Sequence, residues 1–440
     1  MAVITAANHG KFGRTDKDLF EISMDSALPI AKRYGDAIDL VIFANAFGGE
    51  YGRVSGLNNR LSAELFDFPV PSVRIDNTSS GGASALHIAK SLLQAGDVHS
   101  ILVIGSEKMS SVPTRESSSI IASLLDPVER SSGLTLPSLA AFLARMYIAE
   151  YDASRESMAQ VSVKNHRNAM WNENAHHRKE VSAEEVLASR IIASPLTLYE
   201  YCPISDGSVS ILLSGDDVAT SLSGKAVRIG GSSIFSDTSQ VSLRDDIMQL
   251  EAVRRSSAEA MKQAGITPSD IDFAELHDMA SILELVEAEA VGFFQRGTAW
   301  KEIMEGSMDP DGSIPVNVSG GLLARGHPIA ATSLAQAHEA FLQLTGNAGQ
   351  RQLNNPHYAL SVSMDTGRGT EGCGEPSGCG GGRCRAGMGT SMESVPHDGL
   401  CQGTAQHDVI SPSNPTYFAG AGRQIIFPSL RSGNTAASLL

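Results

Sequence analysis

Asn77-Thr78-Ser79-Ser80-Gly81-Gly82 joins a short run rich in β-formers, Ser72-Val73-Arg74-Ile75, to a stretch with helical spacing. In that stretch Leu86, Ala89 and Leu93 fall on one face. A second strand-to-helix passage of the same make-up comes later. There Asn317-Val318-Ser319-Gly320-Gly321 leads through Gly326-His327-Pro328 to a stripe of Leu334, Ala337, Phe341 and Leu344. Each passage is preceded by a helix and a strand: residues 24–34 then 39–42, and 256–264 then 272–275. Each is followed by an apolar strand, 101–105 and 358–363. The chain therefore reads as two similar α/β halves, with both turns near a shared interface. Chance likeness of generic α/β units is the alternative. Further strands are expected at 38–44, 72–75, 209–214, 272–276 and 315–318.

Around these units the composition sets bounds. The 440 residues suffice for two or three compact units. A net charge of −15 disfavours polyanionic partners, so nucleic acid is not expected. No apolar run approaches the length of a membrane span, and the start, MAVITAANHGKFG, lacks the pattern of a secretory signal. One cysteine, Cys202, precedes Cys373, Cys379, Cys384 and Cys401, so a disulfide-stapled core is excluded. The tail cysteines do not have the usual zinc spacing, and no metal is expected. From 371 to 404 ten residues are glycine, which predicts poor order, with one strand at 423–427. The C-terminus, Ala-Ala-Ser-Leu-Leu, is no peroxisomal address, and a cytoplasmic location is expected.

Four places carry candidate chemistry. The turn at 77–82 would offer backbone N–H groups and the positive end of a helix to a nucleophile or an anion; a plain capped turn is the alternative. His327, fixed between Gly326 and Pro328, is a candidate general base or a structural histidine. In Glu275-Leu276-His277-Asp278 the aspartate would orient the imidazole, or His277 would donate to an oxyanion, or the pair simply ends a strand. Cys202-Pro203-Ile204-Ser205-Asp206-Gly207 opens another strand, and Cys202 reads as structural. Residues 115–200 form an insertion. Its basic stretch, with Lys164, His166 and Arg167, is either a solvated helix face or a docking surface for an anionic thioester.

In this order the motifs resemble those of the thiolase superfamily, nearest to the sterol-carrier-protein-type and archaeal acetyl-CoA acetyltransferases. The likeness spans roughly residues 1–370. It includes Lys11-Phe12-Gly13-Arg14, the turn at 76–82 and Gly105-Ser106-Glu107-Lys108-Met109. It continues through Lys164-Asn165-His166, the 202–207 segment, His277-Asp278, Asn317 to Gly321 and Gly326-His327-Pro328. The resemblance implies a five-layer αβαβα fold of two similar halves, 1–220 and 221–370, followed by an atypical tail at 371–440. It implies a thiolase-like acyl-CoA acyltransferase that forms or cleaves a C–C bond on a coenzyme A thioester, with no tightly bound cofactor. Thr78, His277 and His327 would be catalytic, and Lys164, His166, Arg167, Gly320 and Gly321 would bind the thioester. A homodimer or dimer of dimers is implied, as is a small OB-fold partner.

Three departures stand out, one being that the apolar strand that normally closes the second half is replaced by the Gly/Cys-rich tail. The family's nucleophilic cysteine falls at Thr78, whose hydroxyl is far less acidic than a thiol. The turn Ser363-Met364-Asp365-Thr366-Gly367 lacks the second cysteine or histidine. A non-catalytic acyl-CoA-binding or scaffold subunit is therefore the alternative function. A steroid-type aldolase fits less well, because such relatives carry tyrosines at the positions of His277 and His327.

Overall fold

In the computed structural model, residues 2–222 and 225–364 are described; the tail expected to be poorly ordered and the strand expected at 423–427 lie outside them. Strand β4 (Ser100–Glu107) is buried along its whole length, so its continuous apolar run has helices on both faces. It lies inside a six-stranded mixed sheet with β1 (Ala2–His9), β2 (Leu40–Ala44), β3 (Ser72–Ile75), β7 (Gly207–Gly215) and β8 (Val227–Arg228), in the order β3-β2-β4-β7-β1-β8. The β2 strand pairs parallel with β3 and β4, whereas β7 and β1 run antiparallel to their neighbours. A short hairpin, β5 (Ile191–Ala193) and β6 (Leu196–Thr197), stands apart. The opening strand β1 comes in addition to the strands expected from the sequence.

Alternation along the strands divides the core. Val41, Phe43, Leu102 and Ile104 face the helices Leu19–Tyr34 and Leu57–Leu65. Ile42, Ile101 and Val103 face the helices Gly81–Ala95 and Thr332–Thr345. Beyond that pair lies a second sheet, β9 (Phe273–Glu275) parallel to β10 (Ala359–Ser361). The helices Glu251–Ala264 and Ser281–Val291 share an apolar cluster with it on the outer side. The layers run helix, sheet, helix, sheet, helix: the αβαβα arrangement. The strand expected at 315–318 is reduced to one bridge, Ala274 to Val316. At Asn317 the backbone turns to φ 55°, and its side-chain Oδ1 accepts from the Leu276 N–H at 2.8 Å in place of a ladder bond.

The two central helices meet at their N-termini. A Cβ on Gly82 would stand 2.7 Å from Ser333 Oγ and 2.8 Å from Leu334 Cγ, so only glycine permits this approach. The Ala83 N–H donates to Ser333 Oγ at 2.8 Å, locking it. This contact sets the turn at 77–80 beside the loop that carries His327.

Candidate active site

His327 is held from three sides. Its N–H reaches Ser205 Oγ at 3.3 Å, its Nδ1 lies 2.6 Å from Thr332 Oγ1, and its Nε2 lies 3.3 Å from Ser79 Oγ. Thr332 Oγ1 also donates to the Pro328 carbonyl at 3.1 Å. A hydroxyl has one proton, so with that proton committed it accepts from His327 Nδ1–H. Nε2 is then the bare nitrogen, and Ser79 donates to it. Burial, together with His277 and Arg325, holds the imidazole's pKa well below the usual range, so it is neutral at pH 7.

The His277 ring stands edge-on to that of His327, with centroids 5.1 Å apart. Burial lowers its pKa to about 3, with a contribution from Arg325. Its Nδ1 is buried and makes no hydrogen bond with any described residue. Asp278 does not orient this ring. Its carboxylate accepts from the Leu322 and Leu323 N–H groups and from Asn165 Nδ2, capping the tight π-turn Gly321–Arg325 instead. Burial and the neighbouring Glu284 push the Asp278 carboxyl up. The positive-φ Gly321 allows that cap, since a Cβ there would meet the Asp278 carboxylate at 2.3 Å.

A cavity of about 70 Å³ opens at the pair, walled by Ser79, His277, His327, Cys202, Ile204 and Met364 among others. Thr78 is not among its lining residues. The Thr78 backbone sits at φ 43°, an uncommon conformation for a β-branched residue, and its buried Oγ1 makes no hydrogen bond. Burial pushes the Cys202 thiol far up, so the cavity's thiol is unreactive. A neutral base, a hydroxyl against it and a second neutral imidazole suit acyl chemistry. Among the described residues, no group of three or more His, Cys, Asp or Glu is placed to hold a metal ion.

The sequence model of the thiolase N-terminal domain matches residues 2–217, and that of the thiolase C-terminal domain-like region matches 233–369. The chain belongs to the thiolase family. Thiolases are acyltransferases that work on coenzyme A thioesters, and this sets the general class. Acetyl-CoA acetyltransferase of Methanothermobacter thermautotrophicus is 34% identical over 331 residues, 75% of this chain and 86% of that protein. Human sterol carrier protein 2 is 30% identical over 314 residues, 68% of this chain but 57% of its own length. The chain thus spans little more than half of that relative. Among solved structures, an Ltp2-ChsH2(DUF35) aldolase superposes with TM-score 0.71 at 22% identity, covering 83% of this chain and 95% of that one. Human mitochondrial 3-ketoacyl-CoA thiolase superposes with TM-score 0.61 at 16% identity, covering 78% of this chain and 91% of that one.

The residues expected to dock the thioester differ in their surroundings. The basic stretch is split: Lys164 and His166 on the helix Arg155–Ala169 are buried, whereas Arg167 is partly exposed and His177, Arg178 and Lys179 beyond the helix are exposed. Lys164 is fully buried; its Nζ pairs with Glu284 at 3.0 Å and donates to the Val316 carbonyl at 2.6 Å. His166 is buried with Nδ1 3.1 Å from the Lys179 carbonyl oxygen, and burial lowers its pKa to about 4. Arg167 is partly exposed but pairs with Asp309 at 2.7 Å. Gly320 is buried against Ala169, and Gly321 under Asp278. The structure thus joins His277 and His327 at one cavity and leaves Lys164 and His166 in packing roles. Sequence reasoning missed Ser79, Ser205 and Thr332. The only sequence cue to Ser79 is its place in the same turn as Thr78.

Proposed function

We propose that this chain is a thiolase-type acyl-CoA acyltransferase, acting on a C–C bond of a coenzyme A thioester, in which Thr78 stands where relatives place the nucleophilic cysteine. The observation that carries the reading is the pair of neutral imidazoles, 5.1 Å apart, in a cavity beside the Gly81–Ala95 helix N-terminus. In this reading His327 moves the proton and His277 steadies the oxygen of the thioester carbonyl. With a hydroxyl in place of a thiol, thiolytic turnover is weak. The test is thiolysis of acetoacetyl-CoA by the wild type and by Thr78→Cys. Gain of turnover in the variant, lost again on His327→Ala, supports the reading. Absence of both turnover and CoA binding in the two proteins overturns it.

A second reading, a non-catalytic acyl-CoA-binding subunit, is favoured by one observation: Thr78, at the nucleophile position, does not line the cavity and its Oγ1 is buried. The aldolase that shares the fold carries DUF35 in its name, and a small OB-fold partner is proposed here on that footing. A stoichiometric partner in a pull-down, with no chemistry from the isolated chain, would favour this second reading. A homodimer and a cytoplasmic location complete the proposal. No helix among the described residues is long and apolar enough to cross a membrane.

A further inference from the structure

We propose that Ser79, rather than Thr78, accepts the acyl group of a short-chain acyl thioester, and that water then releases it, so that the site hydrolyses the thioester through a seryl ester. This rests on the reading of the cavity as an acyl-CoA site and adds the nucleophile and the acceptor. Ser79 Oγ is 3.3 Å from His327 Nε2 and lines the cavity. Thr78 does neither, and its Oγ1 is closed off without a partner. The Ser79 backbone is clamped as a nucleophile's must be: its carbonyl accepts from Ser333 Oγ at 3.4 Å and from Ser363 Oγ at 3.3 Å. Thr332 fixes the tautomer of His327 that leaves Nε2 bare. Nucleophile, base and orienting group are therefore in line. Whole ligands occupy roughly 300–1,000 Å³, so a cavity of about 70 Å³ admits only a short acyl end, with the coenzyme outside.

The step balances within these groups. Ser79 Oγ bonds to the thioester carbon as its proton passes to His327 Nε2. The C–S bond breaks, and the departing thiolate takes that proton. Water then attacks the seryl ester, gives a proton to His327, and the ester C–O bond breaks. The proton returns to Ser79 Oγ, leaving a carboxylic acid and free thiol. His277, which lines the cavity with Ser79 and His327, is the polar side chain that faces the carbonyl oxygen in this proposal.

The test uses the full chain and acetyl-CoA, with three readouts: acetyl-CoA binding, free-thiol release, and the site of acetylation by tandem mass spectrometry. Thiol release from the wild type with the label on Ser79 is expected. Ser79→Ala should lower release by at least about 100-fold, with its melting curve showing that it folds; Ser79→Cys should still become acylated. Unchanged release by Ser79→Ala, or a label on Thr78, overturns the proposal. Binding of acetyl-CoA with neither acylation nor release overturns Ser79 alone and leaves the acyl-CoA site standing. Neither binding nor chemistry overturns both.

Discussion

The turn at 77–80 and the turn at 317–321 occupy corresponding places in the two halves, and both bend through a non-glycine residue at positive φ. Thr78 sits at 43° and Asn317 at 55°. There the likeness ends. Asn317 is fully engaged, accepting from the Leu276 N–H at 2.8 Å and donating to Glu284 at 2.6 Å. Around it Glu275 holds Ser319 and Arg325, and Asp278 holds the π-turn. The first turn keeps a β-branched residue in a strained conformation with its hydroxyl unpartnered, and points Ser79 at a histidine from the other half. The second turn is densely hydrogen-bonded, although Arg325 Nε and Nη2 there are buried without partners among the described residues. The first keeps its strain and its unpartnered hydroxyl next to Ser79, the residue that lines the cavity.

The contrast between the turns is tested hardest at Lys164. Lys164→Met leaves Glu284 buried beside Asn317 without its cation, and a loss of about 3–5 kcal/mol is expected in chemical denaturation. A loss under about 1 kcal/mol would mean that the second turn is not held by its charges. Glycine substitutions come next and should differ in sign. Asn317→Gly forfeits two buried hydrogen bonds and should lower stability by about 2 kcal/mol. Thr78→Gly relieves a conformation that costs on the order of 1–3 kcal/mol, partly offset by the greater freedom of an unfolded glycine, so stability should hold or rise. Equal losses in the two variants would erase the distinction.

The smallest effect near neutrality is that of pH. His277 is lowered to about 3, His338 to about 4, and His327 also lies well below 6.5, each chiefly through burial. Above pH 6.5 these groups are neutral in folded and unfolded chains alike. Below it the unfolded chain binds protons that these folded imidazoles refuse, so their contribution to stability falls as pH drops from 6.5 towards 4, against the opposite contribution of buried carboxyls such as Asp278, whose pKa is raised. Thermal melts of the wild type and His277→Asn at pH 7.5 and 5.0 isolate the histidine: the change on acidification should be less destabilising in the variant. An identical change in both proteins would contradict a neutral buried His277.

Much of this architecture is legible in the residues. The apolar run of β4, the small residues at both turns and the order of the motifs have local causes: burial on both faces, close backbone approach and helix starts. The strand expected at 315–318 shrinks to one bridge because a β-rich composition does not reveal that Asn317 turns to positive φ and gives its side chain, not its carbonyl, to the Leu276 N–H. Lys164 misleads because a charged run reads as solvated until its counter-ion, Glu284, arrives from 120 positions away. Asp278 adjoins His277 in sequence yet points to the N–H groups of 322 and 323.

The order of residues along the chain is enough to settle the layers, the family and the presence of two histidines at strand and loop ends. Which of two adjacent hydroxyls, Thr78 or Ser79, meets His327 is settled only by tertiary packing. Both are small, polar and part of one turn, so local chemistry does not separate them. The choice is made by the packing of Gly82 against Ser333 and Leu334, which brings Ser79 and His327, 248 positions apart, within hydrogen-bond reach.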